Sequence, residues 1–341
     1  MTWMPLLLAD SSPCLRYLVH KELLHNKEEA RELEQLRETD PLVRSLVNLQ
    51  GEEGSWGRGA LQGNAPQGDI QITAQVLTRL GYFGYRKEYE PVRRGAEYLF
   101  REQLNDGSWY LGSYVADGEK TETYDVMSLQ TSLPLKGLAS VGYAEDPKAE
   151  RAYEWLIEQR LEDGAWPTGV AKGVYGYVAG YRRMPHSRWG CRSNTTGALE
   201  ALGLHPRRRN SPEAARALDL LLGRETRERR HLGYDVARLV GAEPSTGFIT
   251  YYARFDMAQI LGICSRLGAT VDDNRISDLV DYIRGLQGDY GLWEYLPMPQ
   301  VSRWLTLDII RSLVKIDAEG NWVNMEPRTP FRAYPKKFKR F

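Results

Sequence analysis

The chain has 341 residues, enough for one large domain or two smaller ones with a sizeable core. Lysine plus arginine and aspartate plus glutamate both number 45, and the resulting formal charge of zero argues against a general attraction to nucleic acid. No stretch approaches the roughly 18–20 apolar residues of a membrane span, and the three cysteines lack the spacing of a disulfide framework or a CxxC motif.

The N-terminal part of the chain is expected to be helical. The first twelve residues contain a short apolar run without a preceding basic region, so we expect no signal peptide and a cytoplasmic location. Residues 12–50 contain three stretches with apolar residues at helical spacing, which begin at Ser12, Lys27 and Pro41. These helices would add inner or outer elements to the repeats that follow.

A short motif recurs through the rest of the chain, as in the sequence EQLNDGSW that ends at Trp109. Each copy has a Gln six or seven positions before a Trp and a Gly two positions before it. The four copies end at Trp56, Trp109, Trp166 and Trp293. Their spacing of roughly 50–60 residues is typical of stacked supersecondary units. The last gap is about twice as long, so we predict a degenerate copy at residues 217–234.

Each repeat reads as two helices. The first has one apolar stripe and ends at the Gln of the motif, which is typical of an outer helix. The second is small or apolar on most faces, as expected of an inner helix, and ends at a glycine. These terminal glycines are Gly81, Gly142, Gly203 and Gly268, and the last unit ends near residue 316. Pro134 predicts a kink in one inner helix. Since no alternating strand pattern of useful length occurs, the sequence predicts an all-α fold.

We therefore expect a single α/α toroid, a barrel of inner and outer helices with five to six helix pairs. It would span residues 1–320, with the repeats at 42–316 and a basic tail at 321–341. The motif resembles the QW repeat of squalene–hopene cyclases and related triterpene cyclases. The toroid is shared with the β subunits of protein prenyltransferases. The Gln and Trp are expected to be structural, since the amide can satisfy backbone groups at a helix end.

The resemblance implies chemistry that this sequence carries only in part. Triterpene cyclases protonate an alkene or epoxide with an Asp of a DxDD motif, and the chain contains no DxDD. Asp272 and Asp273 are expected to cap the helix that follows them. Protein prenyltransferases bind zinc through Asp-x-Cys and a later His, and Asp-x-Cys is also missing. A zinc site formed by His186, Cys191 and Asp256 is an alternative, against a buried, unreactive cysteine. We therefore predict no cofactor and no metal.

The N-terminal ends of the inner helices are expected to form one mouth of the barrel, where a general acid could lie. Counting twelve residues back from each terminal glycine places Asp69, Gln130, Cys191 and Asp256 there, with Trp304 in the last unit. Asp69 and Asp256 are the first candidates for the acid, and Asp125 and Asp308 follow. Helix capping is the alternative role for each. Asp308 lies in the middle of an apolar helix, where an unpaired carboxyl group would be costly.

Aromatic and basic side chains near this mouth are candidates for substrate binding. Aromatic faces could stabilise carbocations, and ordinary core packing is the alternative. The aromatic candidates are Tyr124, Trp189, Tyr251, Tyr252, Phe255, Trp293 and Trp304. A long insertion at 170–192 is expected to form a lid. Its arginines could hold a diphosphate or carboxylate, or carry solvated surface charge. They are Arg182, Arg183, Arg188 and Arg192.

The leading functional hypothesis is an enzyme related to terpenoid cyclases that acts on an isoprenoid in an apolar central cavity by acid-initiated cyclisation or rearrangement. A prenyl-diphosphate transferase or lyase is a second enzymatic hypothesis. A non-catalytic toroid that binds lipid or protein is a third. The basic and aromatic tail at 328–341 is expected to be disordered or to wrap on the body, with a peripheral membrane contact as the alternative.

Overall fold

The computed structural model describes residues 3–57, 59–61, 68–109, 127–167, 184, 186–223, 231–244, 255–288 and 290–323. The N-terminal helices are α1 (Trp3–Leu8), α2 (Pro13–Leu18), α3 (Lys27–Leu36) and α4 (Pro41–Val47). A π-helical turn, Val19–Leu23, extends α2. None of the helices in these ranges is both long and apolar enough to cross a bilayer.

The repeats form alternating inner and outer helices. The inner helices are α5 (Asp69–Tyr82), α7 (Ser128–Ser140), α9 (Arg192–Leu204), α12 (Met257–Arg266) and α14 (Ser302–Ile316). The outer helices that lie between them are α6 (Glu90–Arg101), α8 (Pro147–Glu158), α10 (Pro212–Leu222) and α13 (Asn274–Arg284). A short helix, α11 (Tyr234–Leu239), precedes α12 and has no counterpart in the described residues of the other repeats. The first four inner helices end within two residues of the predicted glycines.

Local sequence signals set the starts of several outer helices. Asp40, Asp146 and Ser211 are N-caps whose side chains accept a backbone N–H of the first turn, and each is followed directly by a proline. Proline fits the first helical position because its missing N–H would have no intrahelical partner there. Asp273 is likewise an N-cap whose side chain accepts a backbone N–H, here at the start of α13, as predicted.

The inner helices pack side by side in chain order, α5 on α7, α7 on α9, α9 on α12 and α12 on α14. Small residues allow the close approach. A Cβ atom at Gly137 would lie 2.6 Å from the carbonyl oxygen of Ala74, and one at Gly81 would lie 2.6 Å from the Cβ of Ser140. The helix backbones are therefore nearly in contact at these points, which explains why the inner helices are rich in small residues.

The QW turns join each outer helix to the next inner helix. The Trp side chains of all four turns are fully buried. In the second turn, Trp109 Nε1 donates to the carbonyl of Leu99 at 2.7 Å, and its backbone N donates to Thr131 Oγ1 at 3.2 Å. Gly107 has a φ of +95°, and a Cβ there would lie 2.7 Å from the carbonyl of Arg151 in the next outer helix. Only glycine suits this position.

The glutamines of the QW turns link neighbouring repeats. Gln103 Nε2 donates to the carbonyl of Gly107 in its own turn and to the carbonyl of Lys148 in the next outer helix. Gln50 makes the equivalent pair of bonds to Gly54 and Pro91. These contacts satisfy carbonyl groups of turns and helix ends. These contacts agree with the structural role that we expected of the motif.

The N-terminal helices close the ring between the last and the first inner helix. Asp10 forms an ion pair with Arg303 of α14 at 2.8 Å, and Arg37 Nη1 donates to the carbonyl of Phe83 at the end of α5. The ring of Trp304 packs against Phe83 with a centroid distance of 5.5 Å. The architecture is the α/α toroid that the sequence predicts.

The predicted degenerate repeat departs from the others. Helix α10 ends at Leu222 as an outer helix should, and Gly223 is its C-cap with a φ of −69°, the position that Gln159 holds at the end of α8. Residues 224–230 lie outside the described ranges. The chain then forms α11, which packs against α5, α12 and α14. Its residues 234–239 are all buried. The weakest repeat thus supplies a helix to the interior of the ring.

Candidate functional site

A cavity of about 350 Å³ lies at the C-terminal ends of the inner helices. Each of the five inner helices contributes to its wall, and α11 contributes Asp235 and Leu239. Helix α11 therefore lies inside the ring. Most of the wall is polar, with six basic and four acidic side chains. The basic ones are Arg86, Lys136, Arg209, Arg266, Arg311 and Lys315, and the acidic ones are Glu22, Glu200, Asp235 and Asp308.

Asp308 is the predicted acid that lines this cavity. It lies on α14 and is paired with Arg311 one turn further along the same helix, which in turn lies 3.7 Å from Glu22. Burial raises the pKa of Asp308, and the nearby Asp235 adds to this, while Arg311 and Arg266 act in the opposite direction. The site therefore favours the protonated acid more than water does.

A second charged cluster spans three inner helices. Glu200 of α9 is almost fully buried and lies 3.5 Å from Lys136 of α7 and 2.5 Å from Arg266 of α12. A buried carboxylate needs such partners, because an unpaired charge in the interior costs several kcal/mol. This cluster fixes the relative positions of α7, α9 and α12 around the cavity.

Asp256 lies at the N-terminal end of α12, where its carboxylate binds backbone groups. Oδ1 accepts from Ala258 N at 3.0 Å and from Gly233 N at 3.1 Å, and Oδ2 accepts from Asp235 N at 2.8 Å. Burial raises the pKa of Asp256 to about 6 despite these bonds. Asp256 therefore caps α12 and anchors the start of α11. Its role as a proton donor stays a prediction.

The remaining described candidates lie apart from the cavity. Asp69 is exposed in the first turn of α5, and Cys191 is the buried N-cap of α9. Phe255 is partly buried next to Asp256. Trp189 is 43% exposed, with the guanidinium of Arg188 4.8 Å from its ring centre.

Trp293 and Trp304 are buried in the helical packing. The packing of Trp293 is that of a QW turn. Several other candidates lie outside the described residues. They are Tyr124, Asp125, Arg182, Arg183, Tyr251 and Tyr252. The predicted mouth at the N-terminal ends of the inner helices adjoins these segments, so the prediction of a site there stays open.

The equivalence of residues around the predicted mouth needs two corrections. The hydroxyls that accept the QW backbone N–H identify corresponding positions, namely Thr73, Thr131, Thr195 and Thr306. Met127 of the second repeat, rather than Gln130, therefore corresponds to Asp69, and so does Ser302 of the last unit, rather than Trp304. Counting back from the glycines failed because α7 ends two residues before Gly142, whereas α5 continues one residue past Gly81.

Sequence reasoning missed most of the charged wall. Two features of the sequence could have indicated it. Lys136 and Glu200 interrupt otherwise small or apolar helices, and Arg311 follows Asp308 at the spacing of one helical turn. We expected an apolar central cavity, whereas the wall of this cavity is mostly polar.

The alternative zinc site does not form. Among the residues with described positions, no group of three or more His, Cys, Asp and Glu side chains could hold a metal ion. His186, Cys191 and Asp256 are all among the described residues, and they form no such group. Cys14, Cys191 and Cys264 are buried and unpaired, which is the environment of unreactive structural thiols.

Comparison with known proteins points to one superfamily. The family model of the squalene–hopene cyclase C-terminal domain matches residues 59–228. The squalene–hopene cyclase of Alicyclobacillus acidocaldarius is 30% identical, with 42% of this chain and 33% of that enzyme covered. The squalene–hopene cyclase of Schizosaccharomyces japonicus is 22% identical, with 51% of this chain and 36% of that enzyme covered. The chain thus spans about a third of the length of these two relatives.

The fold is shared with a solved cyclase. An apo variant of the type II terpene cyclase MstE from Scytonema is 18% identical, with a TM-score of 0.50, and the match covers 83% of this chain and 72% of that one. At this level of identity the similarity establishes the toroidal fold and leaves the activity open.

Proposed function

We propose that this chain, which resembles the terpenoid cyclase superfamily of α/α toroids with squalene–hopene cyclase-like repeats, is a terpenoid cyclase-like enzyme that acts on an isoprenoid by acid-initiated cyclisation or rearrangement. The observation that carries the proposal is the match of residues 59–228 to the squalene–hopene cyclase C-terminal domain. That stretch contains three inner helices and two QW turns, so the likeness extends over consecutive repeats.

Among the three predicted acids with described positions, Asp69, Asp256 and Asp308, the last is supported best by its surroundings. An acid that protonates an alkene must be neutral at the working pH, and burial of Asp308 raises its pKa. In the first step its O–H bond breaks and the π electrons of the alkene form a C–H bond, which leaves a carbocation and an Asp308 carboxylate. Arg311, already paired with Asp308, would stabilise that carboxylate. Loss of a proton from the cyclised cation to the carboxylate regenerates the acid.

Asp256 is less suited to this step. Its two carboxylate oxygens accept three backbone N–H groups, and these hydrogen bonds favour the ionised form over the neutral acid that the step needs. Asp69 is exposed in the first turn of α5, whereas an acid that protonates an alkene acts in a cavity that excludes water. These differences let single substitutions separate the candidates.

The test is turnover of a panel of isoprenoids, with squalene and geranylgeraniol as the first members, followed by gas chromatography and mass spectrometry of the products. Asp308→Asn should lower the rate by about 10²–10⁴-fold, the range expected when a general acid is removed. Asp69→Asn serves as the matched control on another inner helix and should leave the rate unchanged.

Two outcomes would contradict the proposal at different levels. If Asp308→Asn retains the wild-type rate, another group is the acid, and the same assay with Asp256→Asn examines the next candidate. If the wild-type protein converts no member of the panel and native mass spectrometry detects no bound isoprenoid, the cyclase-like function itself is refuted.

A further inference from the structure

Within the described residues, four buried polar atoms at the wall of the cavity have no hydrogen-bond partner. They are Oδ1 of Asp235 on α11, Nε2 of Gln259 and Nε of Arg266 on α12, and the hydroxyl of Tyr82 on α5. Asp235 and Gln259 are only 9% and 5% exposed. A buried polar atom without a partner costs about 1–3 kcal/mol, and such atoms are ordinarily satisfied by water or by a ligand. A hydrocarbon in contact with these atoms would leave that cost in place.

The basic side chains of the cavity differ in how they are paired. Those deep in the wall are matched by acids, since Lys136 and Arg266 flank Glu200 and Arg311 is paired with Asp308. The three at the rim lie at or just beyond the C-terminal ends of α5, α9 and α14. They are Arg86, Arg209 and Lys315.

These rim cations have no carboxylate partner within the described part of the chain. Arg86 donates only to the carbonyls of Gly81 and Tyr85, which compensates the carbonyl end of α5. The side chains of Arg209 and Lys315 make no ion pair or hydrogen bond with the described residues. Three cations and the partly exposed Glu22, which lies 3.7 Å from Arg311, therefore carry the charge at the opening, and unsatisfied hydrogen-bonding groups lie further inside.

We infer that this cavity binds a small anionic molecule, with a phosphate or carboxylate group at the rim cations and a hydroxyl or amine group at Asp235 and Gln259. A volume of about 350 Å³ suits a small polar ligand. Arginine and lysine at the rim bind an oxyanion through charge-assisted hydrogen bonds. The acceptor on Asp235 and the donor on Gln259 bind a group that can both donate and accept. This inference goes beyond the proposed function, and because Asp308 lines the same cavity, the anionic ligand and an isoprenoid would compete for this space.

The test measures binding to the purified full-length chain by titration calorimetry and thermal shift, without any turnover. The probes are glycerol 3-phosphate, inorganic phosphate and glycerol. Glycerol 3-phosphate should bind most tightly, inorganic phosphate more weakly, and glycerol not measurably. Added salt should weaken the binding of both anions, because charges at an open rim are screened.

Substitutions at the two ends of the cavity should have different effects. Replacing Arg209 and Lys315 together by glutamine should weaken both anions by about tenfold or more, as expected for the loss of charge-assisted bonds. Arg93→Gln makes the same kind of charge change on the exposed face of α6 and should have no effect. Gln259→Met should remove the preference for glycerol 3-phosphate over phosphate while phosphate still binds.

Three results would overturn the inference. One is the absence of binding of both anions in the millimolar range by the folded wild-type protein. The second is an equal loss of affinity in Arg93→Gln and in the rim double variant. The third is binding of glycerol as tight as that of glycerol 3-phosphate. Because no step needs catalysis, failure here is distinguishable from failure of the cyclase-like function.

Discussion

The hydrogen bond between a QW tryptophan and the following inner helix is open to a direct test at Thr73. Trp56 N donates to Thr73 Oγ1 at 2.9 Å, and both residues are fully buried. Thr73→Val keeps the shape of the side chain but removes the acceptor, so the N–H of Trp56 loses its partner. Leaving a buried donor unsatisfied costs about 1–3 kcal/mol. For a chain of 341 residues, with an unfolding entropy of about 0.7 kcal/mol/K, a loss of about 2 kcal/mol corresponds to a fall in Tm of about 3 °C.

Thr78→Val is the matched control, because it makes the same substitution on the same helix. The Thr78 hydroxyl donates to the carbonyl of Ala74, four residues earlier in α5, and accepts no QW backbone N–H. Its loss should change the free energy of unfolding by no more than about 0.5 kcal/mol. Urea unfolding of both variants provides the measurement. Equal losses in the two would show that the Trp56–Thr73 bond does not fix the turn to the inner helix.

Further predictions concern pH, packing and metal. Burial raises the pKa of Asp256 from 3.8 to about 6, so its protonation stabilises the fold by about 3 kcal/mol below pH 3.8, and this is lost as the pH rises through 6. The free energy of unfolding, measured with urea between pH 4 and 7, should therefore depend less on pH in Asp256→Asn than in the wild-type protein. Parallel curves for the two proteins would exclude the effect. Gly137→Ala should destabilise the protein by about 1–3 kcal/mol, since the new Cβ would lie 2.6 Å from the carbonyl of Ala74; an unchanged Tm would contradict this close packing. Dialysis against a chelator should leave the Tm unchanged, whereas a fall that zinc reverses would reveal a metal site.

The sequence allowed much of the architecture to be predicted, because the QW turn is a local motif with local causes. The left-handed glycine, the capping residues and the apolar stripe of each outer helix are set by neighbours in the chain. The inner helices were recognisable from their small residues, and their ends were predicted to within two positions. The motif that repeats in the sequence therefore forms a turn that repeats in the structure.

The candidate site was predicted far less completely, because its parts meet only through the closed ring. Nothing near Asp235 in the chain indicates that α11 enters the barrel, and the contacts that hold it come from Asp256 and from Arg79 on α5. The sequence shows single polar residues on otherwise small or apolar inner helices. It does not show that these residues meet at one cavity, because their meeting depends on how five helices cross.

The closure of the ring by α1–α3 has a consequence for how the protein unfolds. In a linear solenoid the terminal repeats have a single neighbour and fray first, so stability is lost from the ends inward. Here the last inner helix is held by Asp10, and the first by Arg37, both from the N-terminal segment. No repeat is terminal, and the first step of unfolding must break a contact between segments that are distant in the chain. Detaching the N-terminal segment would leave α5 and α14 joined by the Phe83–Trp304 contact and by α11, and should therefore make unfolding less cooperative.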